Sequence, residues 1–95
     1  MTDARLLAAV KVNLKIVGTA YDERLGQLIE AARVFIVREG VSTLDTENNF
    51  EDAQLVVMYA QFLWSQRDEP TAPMPRMLRW ALNNRIFGEK AAEGS

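Results

Sequence analysis

Apolar residues recur every three or four positions in four separate stretches of this chain, which is the spacing of one face of an α-helix. The second stretch is the most regular of them. It follows Thr19, whose side chain can cap a helix start, and it stops at Gly40, which suits a left-handed helix terminus. The pattern predicts a helix between these two residues with one apolar stripe, formed by Leu25, Leu28, Ile29, Ala32, Phe35 and Ile36.

A first helix is predicted ahead of this one. Thr2 or Asp3 can cap its start, and it is expected to end near Leu14. Its apolar positions again share one face, and they are Leu6, Leu7, Val10 and Leu14.

The last helix is separated from the others by a proline-rich connector. Pro70 and Pro73 favour an extended chain, and Pro75 suits the first turn of a helix because its missing N–H is not needed there. Gly88 is expected to end this helix. The apolar face predicted for it consists of Met77, Leu78, Ala81, Leu82 and Ile86.

The third predicted helix is apolar on nearly all of its faces. A cap at Asn48 or Asn49 opens it and it runs to about Arg67, yet Gln61 is its only strongly polar side chain between residues 55 and 64. Such a helix must be covered on every side, either by its own neighbours or by another subunit. Both alternatives stay open here. In the second alternative, some of Met58, Tyr59, Phe62 and Trp64 would lie on the surface of the protomer, at an interface with another subunit.

The length of the chain limits it to one domain. Ninety-five residues hold one small core, and with no disulfide or thiolate metal site a well-packed interior or oligomerisation must supply the stability. We therefore expect an all-α fold, a small bundle of four main helices with the proline-rich connector before the last one. Residues 1–88 form the helical domain in this interpretation, and residues 89–95 form a flexible C-terminal tail.

Composition argues against an enzyme. The absence of cysteine and histidine excludes disulfides, zinc sites built on these ligands and histidine-dependent catalytic triads. The adjacent acidic pairs at residues 22–23 and 51–52 fall in predicted first turns, where the helix dipole accounts for them. The five glycines are scattered, so no phosphate-binding loop is indicated. We expect no catalytic residue, no cofactor and no metal.

The charges are balanced overall but unevenly distributed. The net charge is −2 and the isoelectric point is about 5.1, which disfavours binding to nucleic acid through overall charge. Residues 74–87 carry three arginines and no acid, whereas residues 45–52 carry four acids and no base. The basic helix is either a solvated surface or a contact surface, since arginine and tryptophan are enriched at interface hot spots. In the second case, the basic helix of one copy could meet the acidic loop of the next. The longest apolar run, residues 55–60, is too short to span a membrane, and no signal peptide is predicted.

The order and spacing of these features form a pattern from Leu6 to Phe87, nearly the whole chain. The residues that carry it are Leu7, Val10, Lys11 and residues 13–16 in the first part, Asp22, Glu23, Leu25, Leu28, Ile29, Ala31, Ala32 and Ile36 in the second, Ala53, Val57, Tyr59, residues 62–64 and Arg67 in the third, and Pro75, Leu78, Leu82 and Arg85 in the last. In this order the chain resembles the small helical head–tail connector, or head-completion adaptor, proteins of tailed bacteriophages.

The resemblance implies a non-enzymatic virion protein. Such a protein forms a ring of about twelve copies on the portal vertex, extends the DNA channel and offers an attachment surface to the next head-closure or tail-completion protein. It implies a location at the head–tail junction of the virion, and in the host cytoplasm before assembly. DNA would pass without sequence-specific binding, and no membrane is involved. The family's C-terminal segment reaches toward the portal, but the tail after Phe87 is short here, so a long portal-embracing arm is not expected.

A second hypothesis is a small helical DNA-binding or regulatory module. The last helix would then enter a groove of DNA with Arg76, Arg79, Asn83 and Arg85, since arginine and asparagine can read base edges. The lack of a basic excess and the presence of Trp80 in that helix speak against it. For the connector hypothesis, the predicted protein-interface residues are Tyr59, Phe62, Trp64, Arg76, Arg79, Trp80, Asn84 and Arg85.

Overall fold

The computed structural model describes residues 1–93, and this part of the chain is all-α. It contains four helices and no strand in the described residues: α1 (Asp3–Leu14), α2 (Asp22–Glu39), α3 (Phe50–Ser65) and α4 (Arg76–Glu93). The predicted all-α fold of four main helices is therefore confirmed. Residues 66–75 join α3 to α4 without helix and contain the three prolines of the chain.

Helix α3 is the centre of the bundle. It packs most extensively against α2, and it also contacts α1 and α4, while α1 and α2 pack on one another. The helix with apolar residues on all faces is thus covered mainly by its own neighbours. The buried apolar core consists of Leu6, Val10, Leu25, Leu28, Ile29, Ala32, Ile36, Val41, Ala53, Leu55, Val56, Val57, Tyr59, Ala60, Leu78 and Leu82.

Three predicted helix termini are confirmed. The side chain of Thr2 accepts a hydrogen bond from the backbone N–H of Arg5 at 3.3 Å, and that of Asn49 accepts one from the N–H of Asp52 at 3.2 Å. Each bond satisfies a donor that the first turn of a helix leaves unpaired. Gly40 ends α2 with a φ of +125°, and a Cβ there would stand 3.5 Å from Ile86 of α4. Glycine therefore serves the backbone conformation, while a Cβ at this position would only make an ordinary van der Waals contact with Ile86.

One other terminus differs from the prediction, and another ends in an unusual backbone conformation. Helix α2 begins at Asp22, after Tyr21, and its start has no side-chain cap, so the predicted cap at Thr19 is wrong. The backbone carbonyl of Thr19 instead accepts the N–H of Asp22 at 3.2 Å, as in a turn. Helix α1 ends at Leu14 as expected, but Lys15 follows it with a φ of 59°. This left-handed conformation is one that glycine usually adopts at helix ends.

The predicted flexible tail at residues 89–95 is wrong for the part that the structure describes. Helix α4 continues through Gly88 to Glu93. A tertiary contact holds this extension: Glu89 is 8% exposed and its carboxylate is bound by Ser42 and Thr43 of the α2–α3 loop. Residues 94–95 lie outside the described residues. The helical domain therefore extends at least five residues past Gly88.

Candidate protein-interaction site

The most exposed apolar surface near the end of the chain lies on the outer face of α4. Met77, Trp80 and Phe87 are 67%, 64% and 77% exposed, and Asn84 lies between them. The spacing of these four residues places them on one helical stripe, which we call the outer stripe. Large apolar side chains in one contiguous exposed patch are typical of interaction sites.

The position of α4 in the bundle accounts for the outer stripe. Leu78 and Leu82 are buried, and Ala81 and Ile86 pack against the core, so the opposite side of α4 faces α3. No other described helix covers the outer face. Met77 was predicted on the inner face with these residues, and the structure corrects this placement because Met77 lies about 100° from Leu78 around the helix.

A groove runs beside the outer stripe, between α4 and the first half of α3. It encloses about 500 Å³, a volume within the range of pockets that take small ligands or side chains. Phe50, which is 66% exposed, and Trp80 form its opposite walls. We call it the α3–α4 groove. The remaining lining comes from Glu51, Asp52, Gln54, Leu55, Met58, Ala81, Asn84, Arg85 and Gly88.

An ion pair between α3 and α4 closes one side of this groove. Arg85 donates from Nε to Oδ1 of Asp52 at 2.7 Å and from Nη2 to Oδ2 at 3.3 Å. Asp52 is completely buried, and it also accepts the backbone N–H of Asp45 at 2.9 Å. The hydrogen bonds to Asp52 raise the pKa of Arg85 above its ordinary value. A charge buried this deeply requires such partners, so the pair sets the position of α4 on α3.

A second set of bonds ties the end of α4 to the α2–α3 loop. The Glu89 carboxylate accepts from the backbone N–H and the hydroxyl of Ser42, at 3.0 and 3.1 Å. It also accepts from the hydroxyl and the N–H of Thr43, at 2.6 and 2.7 Å. These bonds, led by the Thr43 hydroxyl, lower the pKa of Glu89 to about 2. Arg85 reaches the same loop, because its Nη2 donates to Oγ1 of Thr43 at 2.9 Å.

These bonds give Arg85 a role within the protomer. The basic helix meets the acidic loop inside one chain, where the Arg85 side chain is 19% exposed and its charge is matched by Asp52. Its contribution to an interface between copies stays a prediction. The two adjacent acidic residues at positions 51 and 52 also differ in burial, since Asp52 is buried and Glu51 is exposed.

The other predicted residues of α4 remain at the surface. Arg79 pairs with Glu39 of α2 at 2.9 Å and is 44% exposed. Arg76 is exposed and forms no ion pair within residues 1–93. Trp80 and Asn84 lie together on the outer stripe and on the wall of the α3–α4 groove. The structure therefore brings Trp80 and Asn84 together and leaves the charges of Arg76 and Arg79 apart from the groove.

The predicted residues of α3 are mostly withdrawn from solvent. Tyr59 is 7% exposed and packs between Phe35 and Phe62, with ring centroids 5.9 Å from each, so the prediction that it emerges at the surface is wrong. Burial raises the pKa of Tyr59. Phe62 and Trp64 are half-buried.

Trp64 is covered by two residues outside α3. The ring of Tyr21 meets it edge-on at a centroid distance of 5.4 Å, and the guanidinium of Arg67 lies 4.0 Å above it. Both arrangements are favourable contacts of an aromatic ring. Trp64 is therefore half-buried through contacts within the protomer.

The sequence analysis did not identify Phe50 as a residue of the site. It is the first residue of α3 and is 66% exposed. The outer stripe has a signal in the sequence, since Met77, Trp80, Asn84 and Phe87 follow helical spacing. The burial of Asp52 and Glu89 could not be predicted from the sequence, because acidic residues near helix ends are usually exposed to solvent.

No family model, no curated protein and no solved structure matches this chain. Within residues 1–93, no group of three or more acidic side chains is placed to hold a metal ion. None of the described helices is long and apolar enough to cross a membrane.

Proposed function

We propose that this protein is a structural assembly protein, a ring-forming head–tail connector of a tailed bacteriophage or prophage. It would dock on the portal vertex, extend the DNA channel and receive the next head-closure or tail-completion protein. One observation carries the assembly part of the proposal. A folded protomer leaves Phe50, Met77, Trp80 and Phe87 between 64% and 77% exposed, and Phe50 and Trp80 line one groove.

The resemblance of residues 6–87 to the connector family supports the virion part of the proposal. The described structure agrees with that resemblance only in its all-α class and its helix order. Of the residues expected at an interface, Trp80 and Asn84 of α4 belong to this exposed surface, whereas Tyr59 of α3 is buried. A contact surface at the edge of the protomer is what a subunit needs to reach its neighbours in a ring.

The test is assembly of the purified protein. We expect particles larger than a dimer to form with rising concentration, or on rings of the portal protein encoded in the same genome, as seen by light scattering and electron microscopy. Trp80→Ala should weaken this assembly at least tenfold, because aromatic anchors dominate interface energies. Val34→Ala is the matched control, since Val34 is also exposed but lies on α2 away from the groove. A wild-type protein that stays monomeric and ignores the portal would refute the proposal.

The DNA-binding alternative has a separate test. Arg79 and Arg85 of the proposed recognition helix are engaged in ion pairs with Glu39 and Asp52, which leaves Arg76 as its unpaired arginine. We therefore expect no sequence-specific binding, and only a shallow dependence of any DNA affinity on salt. A steep salt dependence that Arg76→Ala reduces would favour the DNA-binding module instead.

A further inference from the structure

We infer that the tip of α1 in one copy binds in the α3–α4 groove of the next copy, so that the subunits join head to tail. The α1 tip is defined here by Val12, Lys15 and Val17. This inference rests on the proposed assembly function and names the contact through which assembly would occur.

The α1 tip is an exposed apolar and cationic projection. Val12 and Val17 are 75% and 92% exposed, the two most exposed of the large apolar side chains outside the outer stripe. Lys15 lies between them, is exposed, and forms no ion pair or side-chain hydrogen bond within residues 1–93. Its left-handed φ of 59° turns the chain, so that Val17 follows the end of the helix without packing on it.

The tip is also held in a defined conformation. The N–H of Ile16 donates to the carbonyl of Lys11 at 2.9 Å, which closes the end of α1. The Lys11 ammonium donates to the carbonyl of Gly18 at 2.5 Å and pairs with Asp22 at 2.7 Å. A preorganised projection loses little conformational freedom when it binds, which favours affinity.

The groove has the complementary chemistry. Phe50 and Trp80 offer apolar and aromatic walls, which suit valine side chains and the aliphatic stem of a lysine. Asp52 is neutralised by Arg85, so Glu51 provides the unmatched charge of the lining, and it forms no ion pair or side-chain hydrogen bond within residues 1–93. A cation flanked by apolar groups is therefore the occupant that this lining favours.

The tip follows the end of α1 that lies toward the C-terminal end of α3, whereas Glu51 of the groove lies in the first turn of α3. The N-terminal amine before α1 donates to the carbonyls of Thr46 and Glu47, just ahead of α3. The chain after α1 passes the other end of α3, where Tyr21 contacts Trp64. About 20 Å of helix separates Trp64 from Glu51 along α3, in a molecule 47 Å long.

One molecule therefore cannot fill its own groove with its own tip, but a second copy can. Because the two surfaces are different, the contact is heterologous and each added copy presents a fresh groove and a fresh tip. Such contacts produce rings when the rotation closes and open chains when it does not.

Charge reversal tests the contact directly. Lys15→Glu and Glu51→Lys should each weaken self-association at least tenfold, measured by analytical ultracentrifugation at low salt. An equimolar mixture of the two variants should associate again, because every contact in an alternating assembly then joins opposite charges. Glu47→Lys and Arg5→Glu are matched controls, being exposed charges outside the tip and groove, and should leave association unchanged. Circular dichroism of each variant verifies folding.

Cross-linking gives a second readout that does not depend on charge. The chain contains no cysteine, so a Val17→Cys, Gln54→Cys double variant carries one thiol on the tip and one in the groove. Oxidation should give a ladder of multimers from the double variant, whereas each single variant should stop at dimers.

The outcomes separate the inference from the proposed function. If the wild type assembles and neither charge reversal affects it, or if the mixture fails to recover, the tip–groove contact is wrong and the assembly proposal stands. If the tip–groove contact forms but the assembled protein ignores portal rings, the contact stands and the connector proposal fails. A wild type that remains monomeric refutes both.

Discussion

Helices α3 and α4 both carry large apolar residues, but α3 is surrounded by the other helices and α4 has one side open to solvent. Helix α3 contacts all three other helices, so seven of its side chains are buried, including the carboxylate of Asp52. Helix α4 packs mainly on α3 and keeps an open side, where Trp80 and Phe87 face solvent. The position of a helix in the bundle therefore decides which of its apolar faces stays exposed and available to a partner, because a face is buried only where a neighbouring element lies against it.

The two helices also differ in what holds them. Helix α3 is retained by apolar packing on several sides, whereas α4 combines two buried leucines with ion pairs and hydrogen bonds to Asp52 and the α2–α3 loop. Polar bonds of this kind depend on direction and so fix the rotation of α4 about its axis. That rotation decides which residues form the outer stripe.

The largest effect is expected from removing the polar anchor of α4. Asp52→Ala leaves the Arg85 guanidinium without its buried partner and the N–H of Asp45 without an acceptor. We expect the free energy of unfolding to fall by about 3 kcal/mol, measured by urea denaturation. Asp3→Ala removes an exposed ion pair with Arg33 and should cost about 0.5 kcal/mol. Equal losses in the two variants would contradict the structural role of the Asp52–Arg85 pair.

The two faces of α4 should respond differently to truncation of a large side chain. Leu82→Ala opens a cavity in the core and should lower the free energy of unfolding by 2 to 3 kcal/mol, about the cost of other buried leucine truncations. Trp80→Ala removes a larger but exposed side chain and should change the free energy of unfolding by only about 0.5 kcal/mol. Thermal unfolding of the monomer at low concentration measures both. A large loss for Trp80→Ala would place this residue in the core.

The pH dependence of stability tests the bonds at the end of α4. The pKa of Glu89 falls from its ordinary 4.5 to about 2 in the folded protein, so this group stabilises the fold fully above pH 4.5. The contribution is lost as the pH drops from 4.5 toward 2, because over this range the unfolded state binds a proton at Glu89 and the folded state does not. We expect Glu89→Gln to be less stable than the wild type at pH 7, with a difference that shrinks below pH 4.5.

Urea midpoints of both proteins between pH 2 and pH 7 provide the measurement for Glu89. A constant difference across this range would show that the loss comes from packing and not from the carboxylate charge. Glu47→Gln is a suitable control, since its side chain is exposed and forms no hydrogen bond within the described residues. Its difference from the wild type should be small at every pH.

The smallest expected effect is a gain at the end of α1. Lys15→Gly should raise the free energy of unfolding by about 0.5 to 1 kcal/mol, because glycine adopts the left-handed conformation at less cost than lysine. The same change removes the cation of the α1 tip, so self-association should weaken while the monomer becomes more stable. A variant that loses stability would show that the Lys15 side chain supports the fold.

Much of the fold could be predicted from the sequence. The caps at Thr2 and Asn49, the terminator at Gly40 and the stripe of α2 are local signals, readable from spacing and residue type. The α3–α4 groove was predictable only in part. Trp80 and Asn84 were expected at an interface, whereas Phe50 and Glu51 enter the site because α4 packs across the start of α3.

By itself the sequence determined the number and order of the helices, because each helix is specified by the spacing of residues a few positions apart and by the residues at its ends. Tertiary structure decided which apolar residues remain outside: it covers Tyr59, exposes Phe50 and Met77, and pairs Arg85 with Asp52 across 33 positions of the chain. It also extends α4 past Gly88 through the bonds of Glu89 to a distant loop. The physical reason is that burial and ion pairing depend on neighbours brought together by folding, which local spacing does not specify.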